Sequence, residues 1–478
     1  MKSATVRYAS VNGESGFRID PGYYVNEAVR YYASLGNCPY PLTTIGDESS
    51  RIFFGNIFVR RFVNNPDHGT PYLTPTDMLK TDMAATKLLS KQQALRLSHL
   101  KIESGWILIS CSGSAALGSV ALSDRRHEGM IGTHDLIRLI PNDRVLRKGF
   151  LYAFLKSRFG RITLTHSKYG SCILHINPDY VATIRIPVFP VTFQRKIHGL
   201  IMESVHLREE ADAEEKIAVQ NLLSYSKLRK LTSEDYNYFG PRSSRRNIST
   251  FSIKFGSMTE LSINAFNYSD RMRKTIDYVR STCETIPLSE TLSGGGFFST
   301  GSFPRLELDS PKSLLLINQS DIFNARLTGK KIARRGVKAK SLVEYGEVII
   351  AGVGTLGESE TFCRVVFANE SLVGQLISGE FIRMKTTDKI PPGYLYAWLH
   401  SDYGFRMIRS TQAGTKLCRP IQKLLLQMPV PVLRRSQMDE INQVILTSQT
   451  KRARAAQLEN EAIGMVEREI ESWQEGGV

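Results

Sequence analysis

Short apolar runs followed by glycine occur twice in the chain and predict buried strands. Trp106–Ser110 and Glu347–Ala351 each consist mainly of aliphatic residues and lead into a glycine turn. Leu151–Gly160 and Leu395–Gly404 instead place their apolar residues at helical spacing, which predicts two short helices. The pattern therefore predicts a mixed α+β fold.

Two proline-containing segments, Ile184–Pro190 and Leu426–Val432, lead into two long stretches without proline. Proline is unfavourable in a central strand or in a helix interior, so we expect these segments to be extended exits from globular parts. Residues 193–230 and 434–478 then predict two long helices, because they are rich in Glu, Ala, Gln, Leu and Arg. At 1.5 Å per residue, each helix would be ~55 Å long.

Both long stretches carry apolar or small residues close to heptad spacing, which is typical of a helix–helix seam. These residues are Ile197, Ile201, Ala211, Ala218, Leu222 and Tyr225 in the first stretch, and Ile441, Val444, Ala455, Leu458, Ala462 and Met465 in the second. Two interpretations stay open: each helix packs on its own domain, or the two helices pair as an antiparallel coiled coil and act as a rigid spacer. We favour pairing, and we expect the charged run Glu214–Lys216 to lie on a solvated face.

The chain contains the same unit twice. Asp77 and Asp321 are 244 residues apart, and so are Leu151 and Leu395, which begin the two short helices. Phe17–Asp20 and Leu261–Asn264 match at the same shift, as do Gly170 and Gly414. A constant shift over collinear landmarks indicates a tandem duplication. The predicted organisation is a first domain (1–192), a first helix (193–230), a linker (231–250), a second domain (251–433) and a second helix (434–478).

The charge of the chain favours a polyanionic partner. The 478 residues include 62 Lys and Arg against 46 Asp and Glu, a formal net charge of +16. This excess favours nucleic acid first and an anionic membrane second. No apolar run has the length of a membrane span, and no signal peptide is visible, so we expect a cytoplasmic protein without membrane contact. The six dispersed cysteines predict neither a disulfide framework nor a zinc site.

The motifs that resemble catalytic sites are weak. Gly352–Gly357 (GVGTLG) has the spacing of a dinucleotide-binding loop, but the residues after it predict a strand where that loop needs a helix. Asn177–Tyr180 (NPDY) is similar to the catalytic loop of adenine-amino methyltransferases but lacks the second proline. His134, His166 and His175 lack the spacing of metal ligands. We therefore expect no catalytic residue, no metal site and no cofactor in this chain.

The basic residues are the better candidates for a functional site. Lysine neutralises phosphates, and arginine can also read guanine edges through two hydrogen bonds. The predicted DNA-binding residues are Arg60, Arg61, Lys87, Lys91, Lys168, Lys330, Lys331, Arg334, Arg335, Lys338 and Lys416.

The order of these elements resembles the DNA specificity (S) subunit of type I restriction–modification systems. The features that carry the resemblance are the duplicated unit, the two glycine turns after a buried strand, the short helices, the Gly-Ser and Gly-Thr turns at 170–171 and 414–415, and the proline exits before long helices. Residues 58–78 also resemble the start of a recognition domain of that family. Neither Ser110–Ser114 nor Ala351–Thr355 has the arginine of the family's common turn, so no phosphate contact is carried over to these residues.

The resemblance implies a non-catalytic DNA reader. Each domain would be a target recognition domain for one part of a bipartite site in double-stranded DNA, and the helices would be the platform for two methyltransferase (M) subunits. Those partners would hold S-adenosylmethionine and methylate adenine N6. A restriction (R) subunit that uses ATP and Mg²⁺ would join in some complexes. The alternatives are a nucleic-acid scaffold of another methylation-linked defence system and a stand-alone methyltransferase or nuclease.

Overall fold

The computed structural model describes residues 28, 31–32, 35–63, 65–83, 86–113, 116–166, 168, 174–232, 252–259 and 261–475. The sequence landmarks Phe17–Asp20 and Gly170–Ser171, Cys172 and nearly all of the predicted linker 231–250 lie outside these residues. Among the described residues, no helix is long and apolar enough to span a membrane.

Within the described residues, the first unit contains two four-stranded sheets, a two-stranded ribbon and short helices, followed by the first long helix. Its strands are β1 (Leu42–Thr44), β2 (Ser49–Phe53), β3 (Phe62–Val63), β4 (Gly69–Leu73), β5 (Lys87–Ser90), β6 (Ile107–Ser110), β7 (Val120–Leu122), β8 (Ile131–Gly132), β9 (Leu136–Pro141) and β10 (Arg185–Pro187). Its helices are α1 (Lys91–Arg96), α2 (Lys148–Lys156), α3 (Arg158–His166), α4 (Pro178–Thr183) and α5 (Val191–Tyr225).

The second unit repeats most of these elements. Its strands are β11 (Thr285–Pro287), β12 (Leu314–Ile317), β13 (Lys330–Ile332), β14 (Val348–Ala351), β15 (Val365–Phe367), β16 (Leu376–Ile377), β17 (Phe381–Met384), β18 (Gln412–Ala413), β19 (Arg419–Pro420) and β20 (Pro429–Pro431). Its helices are α6 (Asp270–Thr282), α7 (Leu288–Thr291), α8 (Pro392–His400), α9 (Asp402–Ser410), α10 (Gln422–Leu426) and α11 (Arg435–Glu475).

The sheet topology confirms the duplication. In the first unit the antiparallel central sheet has the order β2-β9-β6-β7, and in the second it has the order β15-β14-β17. In both, the fully buried strand predicted from the sequence, β6 or β14, lies between two neighbours. The other sheet, which we call the small sheet, has the order β3-β5-β4-β8 in the first unit and β13-β12-β16 in the second. We call the part of each unit before its long helix the first head and the second head.

The proline exits form edge ribbons. In each head the strand before the long helix, β10 or β20, pairs antiparallel with an early strand, β1 or β11. This placement explains how strands with prolines are tolerated, because a two-stranded ribbon leaves one edge of the strand without ladder hydrogen bonds.

The two long helices pair antiparallel, as the sequence favoured. Ser204 on α5 donates to the carbonyl of Ala455 on α11 at 2.7 Å, and Ser448 on α11 donates to the carbonyl of Ala211 on α5 at 2.8 Å. Ser204 and Ser448 are 244 residues apart, so the two bonds are equivalent under the duplication. Helix α5 ends at Tyr225, five residues before the end of the predicted helix.

The buried positions of α5 and α11 alternate at spacings of three and four residues, which is the spacing of a heptad seam. On α5 these positions are Gln194, Ile197, Ile201, Ser204, Ala211, Glu215, Ala218 and Leu222, and on α11 they include Met438, Ile441, Ile445, Ser448, Ala455, Glu459, Ala462, Val466 and Ile470. Leu458 is also buried. Val444 and Met465 are only partly buried, and the fully buried residues are their neighbours Ile445 and Val466.

Two buried ionic clusters interrupt this apolar seam. Glu459 on α11 accepts hydrogen bonds from Arg208 on α5 and from Tyr152 on α2. Burial alone would raise the pKa of Glu459, but Arg208, Lys156 and the Tyr152 hydroxyl outweigh it and lower this pKa to about 2. Burial lowers the pKa of the nearby Lys156 to about 8.

The second cluster repeats the first with the helices exchanged. Glu215 on α5 accepts from Tyr396 Oη at 2.6 Å, from Gln449 Nε2 at 2.9 Å and from Arg452 on α11 at 2.5 Å. Arg208 and Arg452, Glu215 and Glu459, and Tyr152 and Tyr396 are each 244 residues apart. The expectation that Glu214–Lys216 lies on a solvated face is therefore wrong for Glu215, which is 4% exposed. Because Glu215 stands within a run of charged residues, its sequence context does not indicate that its carboxylate is buried.

The two heads also touch each other directly. Thr81 N–H donates to the carbonyl of Phe323 and Ala325 N–H donates to the carbonyl of Leu79, each at 2.8 Å. Lys80 and Asn324 lie opposite each other in the resulting antiparallel bridge. The heads are thus joined directly as well as through the helix pair.

The motifs of uncertain chemistry have structural roles. Gly352 and Gly354 allow close packing, since a Cβ on them would lie 2.6 Å from the Glu380 carbonyl oxygen and 3.0 Å from Phe362 Cβ. The element after GVGTLG is strand β15, as expected. In NPDY, the Asn177 side chain caps α4 by accepting from the Asp179 N–H at 3.0 Å.

Neighbouring glutamates on α5 offer a test of the buried cluster. Glu215→Ala leaves Arg452 buried without its carboxylate, so we expect the free energy of unfolding to fall by about 3–5 kcal/mol. Glu214 pairs with Lys451 at 2.5 Å with both side chains about a quarter exposed, so Glu214→Ala should cost about 1 kcal/mol or less. Urea denaturation followed by circular dichroism measures both variants. Equal small losses would contradict the role of the cluster.

Candidate nucleic-acid interface

The small sheet of the first head gathers four of the predicted DNA-binding residues. Arg60 and Arg61 immediately precede the edge strand β3, and Lys87 begins the neighbouring strand β5. All three side chains are exposed. Lys91 follows β5 as the first residue of α1, whose N-terminus is capped by Ser90. The sheet therefore brings cations from separate sequence segments to one edge.

Aromatic rings lie beneath these cations. The Arg60 guanidinium is 5.9 Å from the centroid of the Tyr72 ring, and the Lys87 ammonium is 5.7 Å from that of Phe62. The two rings pack edge to face at 5.6 Å. Tyr72 is buried, as expected for a core residue, whereas Phe62 is 43% exposed.

The small sheet of the second head presents cations at matching positions. Lys330 pairs with Leu316 on the adjacent strand, as Lys87 pairs with Tyr72 in the first head. Lys331 follows on the same strand, and a turn after β13 carries Arg334, Arg335 and Lys338, all exposed. Gly336 allows this turn because its φ is +79°.

Surface carboxylates partly neutralise two of these lysines. Lys330 Nζ lies 2.5 Å from Glu307 Oε1, and Lys331 Nζ lies 2.5 Å from Asp309 Oδ1. All four side chains are more than half exposed, so each pair contributes little and is screened by salt. Within the described residues, no carboxylate pairs with Arg334, Arg335 or Lys338. These three are consequently the stronger candidates for phosphate contact in the second head.

Lys168 and Lys416 lie elsewhere. Both are exposed, but Lys416 lies on the loop that pairs with the glycine turn through the bridge between Gly354 and Cys418. The residues on either side of Lys168 lie outside the described part of the chain. The structure places neither lysine on the small sheets.

Sequence reasoning missed four exposed apolar residues beside the cations. Ile57 and Val59 are each 82% exposed in the segment that leads to Arg60, and Leu306 and Leu308 are 63% and 49% exposed next to the edge of β13. Apolar side chains at such positions can contact thymine methyl groups in the major groove. In the sequence, the signal for these residues was an apolar residue next to arginine. The same pattern is typical of a buried strand, so it did not indicate that these residues are exposed.

Each head buries one arginine of its central sheet, Arg138 in the first head and Arg383 in the second. Arg138 on β9 donates to the carbonyls of Gly132 and Leu136 at 2.7 and 2.8 Å, and burial lowers its pKa to about 10. Arg383 on β17 donates to Glu347 through Nε and Nη2, each at 2.8 Å. It also donates to the Leu342 carbonyl at 2.7 Å. Both arginines are fully buried, and Arg138 connects the central sheet of the first head to β8 of its small sheet.

The described residues contain no group of three or more His, Cys, Asp or Glu side chains that could hold a metal ion. Of the three histidines considered from the sequence, His134 lies 3.3 Å from Arg60 and from Asp135, and His166 packs against Tyr32.

Comparisons with known proteins find similarity among solved structures only. No family model and no curated protein matches the chain. The S subunit of a type I restriction–modification system from M. genitalium is 13% identical, covers 91% of this chain and 96% of its own, and gives a TM-score of 0.36. The HsdS subunit from Thermoanaerobacter tengcongensis is also 13% identical, with coverages of 92% and 97% and a TM-score of 0.28.

A third solved structure, from work on complex assembly and conformational transition of the type I R-M system, is 14% identical. It covers 91% of this chain and 96% of its own with a TM-score of 0.26. The first and third of these structures come from type I restriction–modification systems.

Removal of two cations in the second head should weaken DNA binding. For Arg334→Ala/Arg335→Ala we expect a loss of about 10-fold to 100-fold in affinity at low salt. The slope of log K against log salt should also fall by about 1 to 2. Fluorescence anisotropy across a salt series measures both quantities. Lys389, an exposed lysine that pairs with Glu290, is the control, and Lys389→Ala should change affinity by less than about twofold. Similar losses in the two variants would show that binding is not localised to this turn.

Proposed function

We propose that this chain is the DNA specificity subunit of a type I restriction–modification complex. The observation that carries the proposal is the pseudo-symmetric arrangement of two heads on one antiparallel helix pair. The first head packs near the start of α5 through Gly149 and His198, and the second packs near the start of α11 through Gly393 and Asn442. Antiparallel pairing therefore places these two packing contacts toward opposite ends of the helix pair.

Two diverged heads suit a bipartite site. The matched positions of the two small sheets differ in side chain, with Tyr72 beside Lys87 in one and Leu316 beside Lys330 in the other. Each head would thus read its own half-site in double-stranded DNA, and the coiled-coil spacer would contribute to the gap between them.

The chemistry would belong to partner subunits. We infer that two M subunits dock on the helix platform, supply S-adenosylmethionine and methylate adenine N6, and that R subunits add ATP-dependent cleavage where the system includes them. This chain would act in the cytoplasm, without a cofactor and without catalysis. The resemblance of the sequence to S subunits supports this division of roles.

Reconstitution tests the proposal. The purified chain incubated with S-adenosylmethionine and adenine-containing duplex DNA should transfer no methyl group. Addition of the M subunit of the same system should give a stable complex with one copy of this chain and two of M that methylates a two-part site. Methylation by the chain alone would make it a stand-alone methyltransferase, and stable co-purification with RNA would favour a scaffold.

Lengthening the helix pair should change the gap and leave the half-sites unchanged. Insertion of one heptad into both α5 and α11 adds ~10 Å to the spacer, about three base pairs of DNA. Methylome sequencing of cells carrying the inserted and native forms reports both the half-site sequences and their separation. New half-sites at the old separation would refute the role of the helices as a spacer.

A further inference from the structure

The contact between the heads is formed by equivalent segments of the two units. Leu79, Lys80 and Thr81 correspond to Phe323, Asn324 and Ala325 at the shift of 244 residues. In each head this segment follows a turn that is closed by an equivalent hydrogen bond. Lys80 N–H donates to the Asp77 carbonyl, and Asn324 N–H donates to the Asp321 carbonyl. The bridge therefore lies on the pseudo-two-fold axis that relates the heads.

The segment of the first head is held rigidly on its own side. Lys80 Nζ pairs with Asp77 at 2.6 Å, and Arg126 donates to the Thr81 carbonyl at 3.0 Å. Arg126 is in turn fixed by Asp124 at 2.6 Å, and both side chains are buried. Arg125, which lies between Asp124 and Arg126, donates its backbone N–H to the Glu209 side chain on α5 at 2.9 Å. The segment is therefore also connected to the helix pair.

The segment of the second head is anchored in a similar way. Phe323 packs against the apolar cluster under the small sheet that includes Ile317 and Ile322. Arg326, directly after the segment, donates to Asn460 on α11 at 2.8 Å. A displacement of one head relative to the other would thus strain hydrogen bonds in the bridge and contacts to both long helices.

We propose that this bridge, Leu79–Thr81 with Phe323–Ala325, sets the spacing and relative rotation of the two heads on DNA together with the helix pair. The inference rests on the proposed function. Lengthening the DNA gap by one base pair moves one half-site by ~3.4 Å and rotates it by ~35° about the duplex axis. Heads joined only through the helix pair could follow such a change by bending, whereas the bridge is a second connection that opposes the change. We assign the bridge residues a positioning role.

The first test removes both hydrogen bonds of the bridge. Thr81→Pro/Ala325→Pro eliminates the two N–H donors. The full-length variant and wild type, each with M subunits, are first used to select half-sites from a random DNA library. Binding is then measured on duplexes with the native gap and with gaps changed by one or two base pairs. We expect wild type to lose about tenfold in affinity per base pair of change and the variant to lose about threefold or less on the same half-sites.

The second test locks the bridge instead. Lys80 and Asn324 form the non-hydrogen-bonded pair of the bridge, whose short Cα separation suits a disulfide. We expect the oxidised Lys80→Cys/Asn324→Cys variant to bind the native gap as tightly as its reduced form and to discriminate against other gaps at least as strongly as wild type. Wild type treated with the same oxidant controls for the native cysteines.

The outcomes separate the two proposals. An unchanged gap preference in the proline variant, or an oxidised form that rejects the native gap, would overturn the role of the bridge and leave the specificity function intact. If wild type with M subunits selects no two-part sequence, the proposed function itself fails. If the proline variant does not fold, the disulfide form decides alone.

Discussion

The fold depends on the antiparallel pairing of α5 and α11 through a largely apolar seam that also contains two serine hydrogen bonds and two ionic clusters. A buried carboxylate is costly unless it is paired, and each of Glu215 and Glu459 has its arginine on the opposite helix and its tyrosine on a head. A shift of the helices by one heptad would leave both carboxylates without their arginines. The clusters thus favour one register and tie each head to the helix pair in that register.

The duplication extends this constraint to the rest of the molecule. Because Arg208 and Glu215 recur as Arg452 and Glu459 in an antiparallel partner, each arginine meets a glutamate and never its own copy. The same pseudo-two-fold relation places the two small sheets at matched positions and brings the segments after Asp77 and Asp321 together. One operation therefore positions the helices, the heads and the bridge.

The exposed basic surfaces can differ between the two heads without a change in this arrangement. The buried Arg138 connects the small sheet of the first head to its central sheet, and the buried Arg383 connects the central sheet of the second head to the loop at Leu342. The residues at the sheet edges are exposed. Lys330 and Lys331 make only exposed ion pairs, which DNA phosphates can replace at small cost. Two heads that share one scaffold geometry and differ at the edges of their small sheets suit a protein that reads different half-sites.

The sequence by itself determined the duplication, the mixed α+β units, the buried strands and the two long helices, because these depend on local periodicity and on collinear landmarks. It also indicated the basic segments around Arg60 and Lys330. Only the tertiary structure decided that Glu215 is buried, that Ile445 and Val466 are buried more fully than Val444 and Met465, and that Lys80 lies opposite Asn324. These features depend on contacts between residues that are more than two hundred positions apart in the chain. The sequence around a charged or apolar residue is the same whether or not the fold supplies such a distant partner.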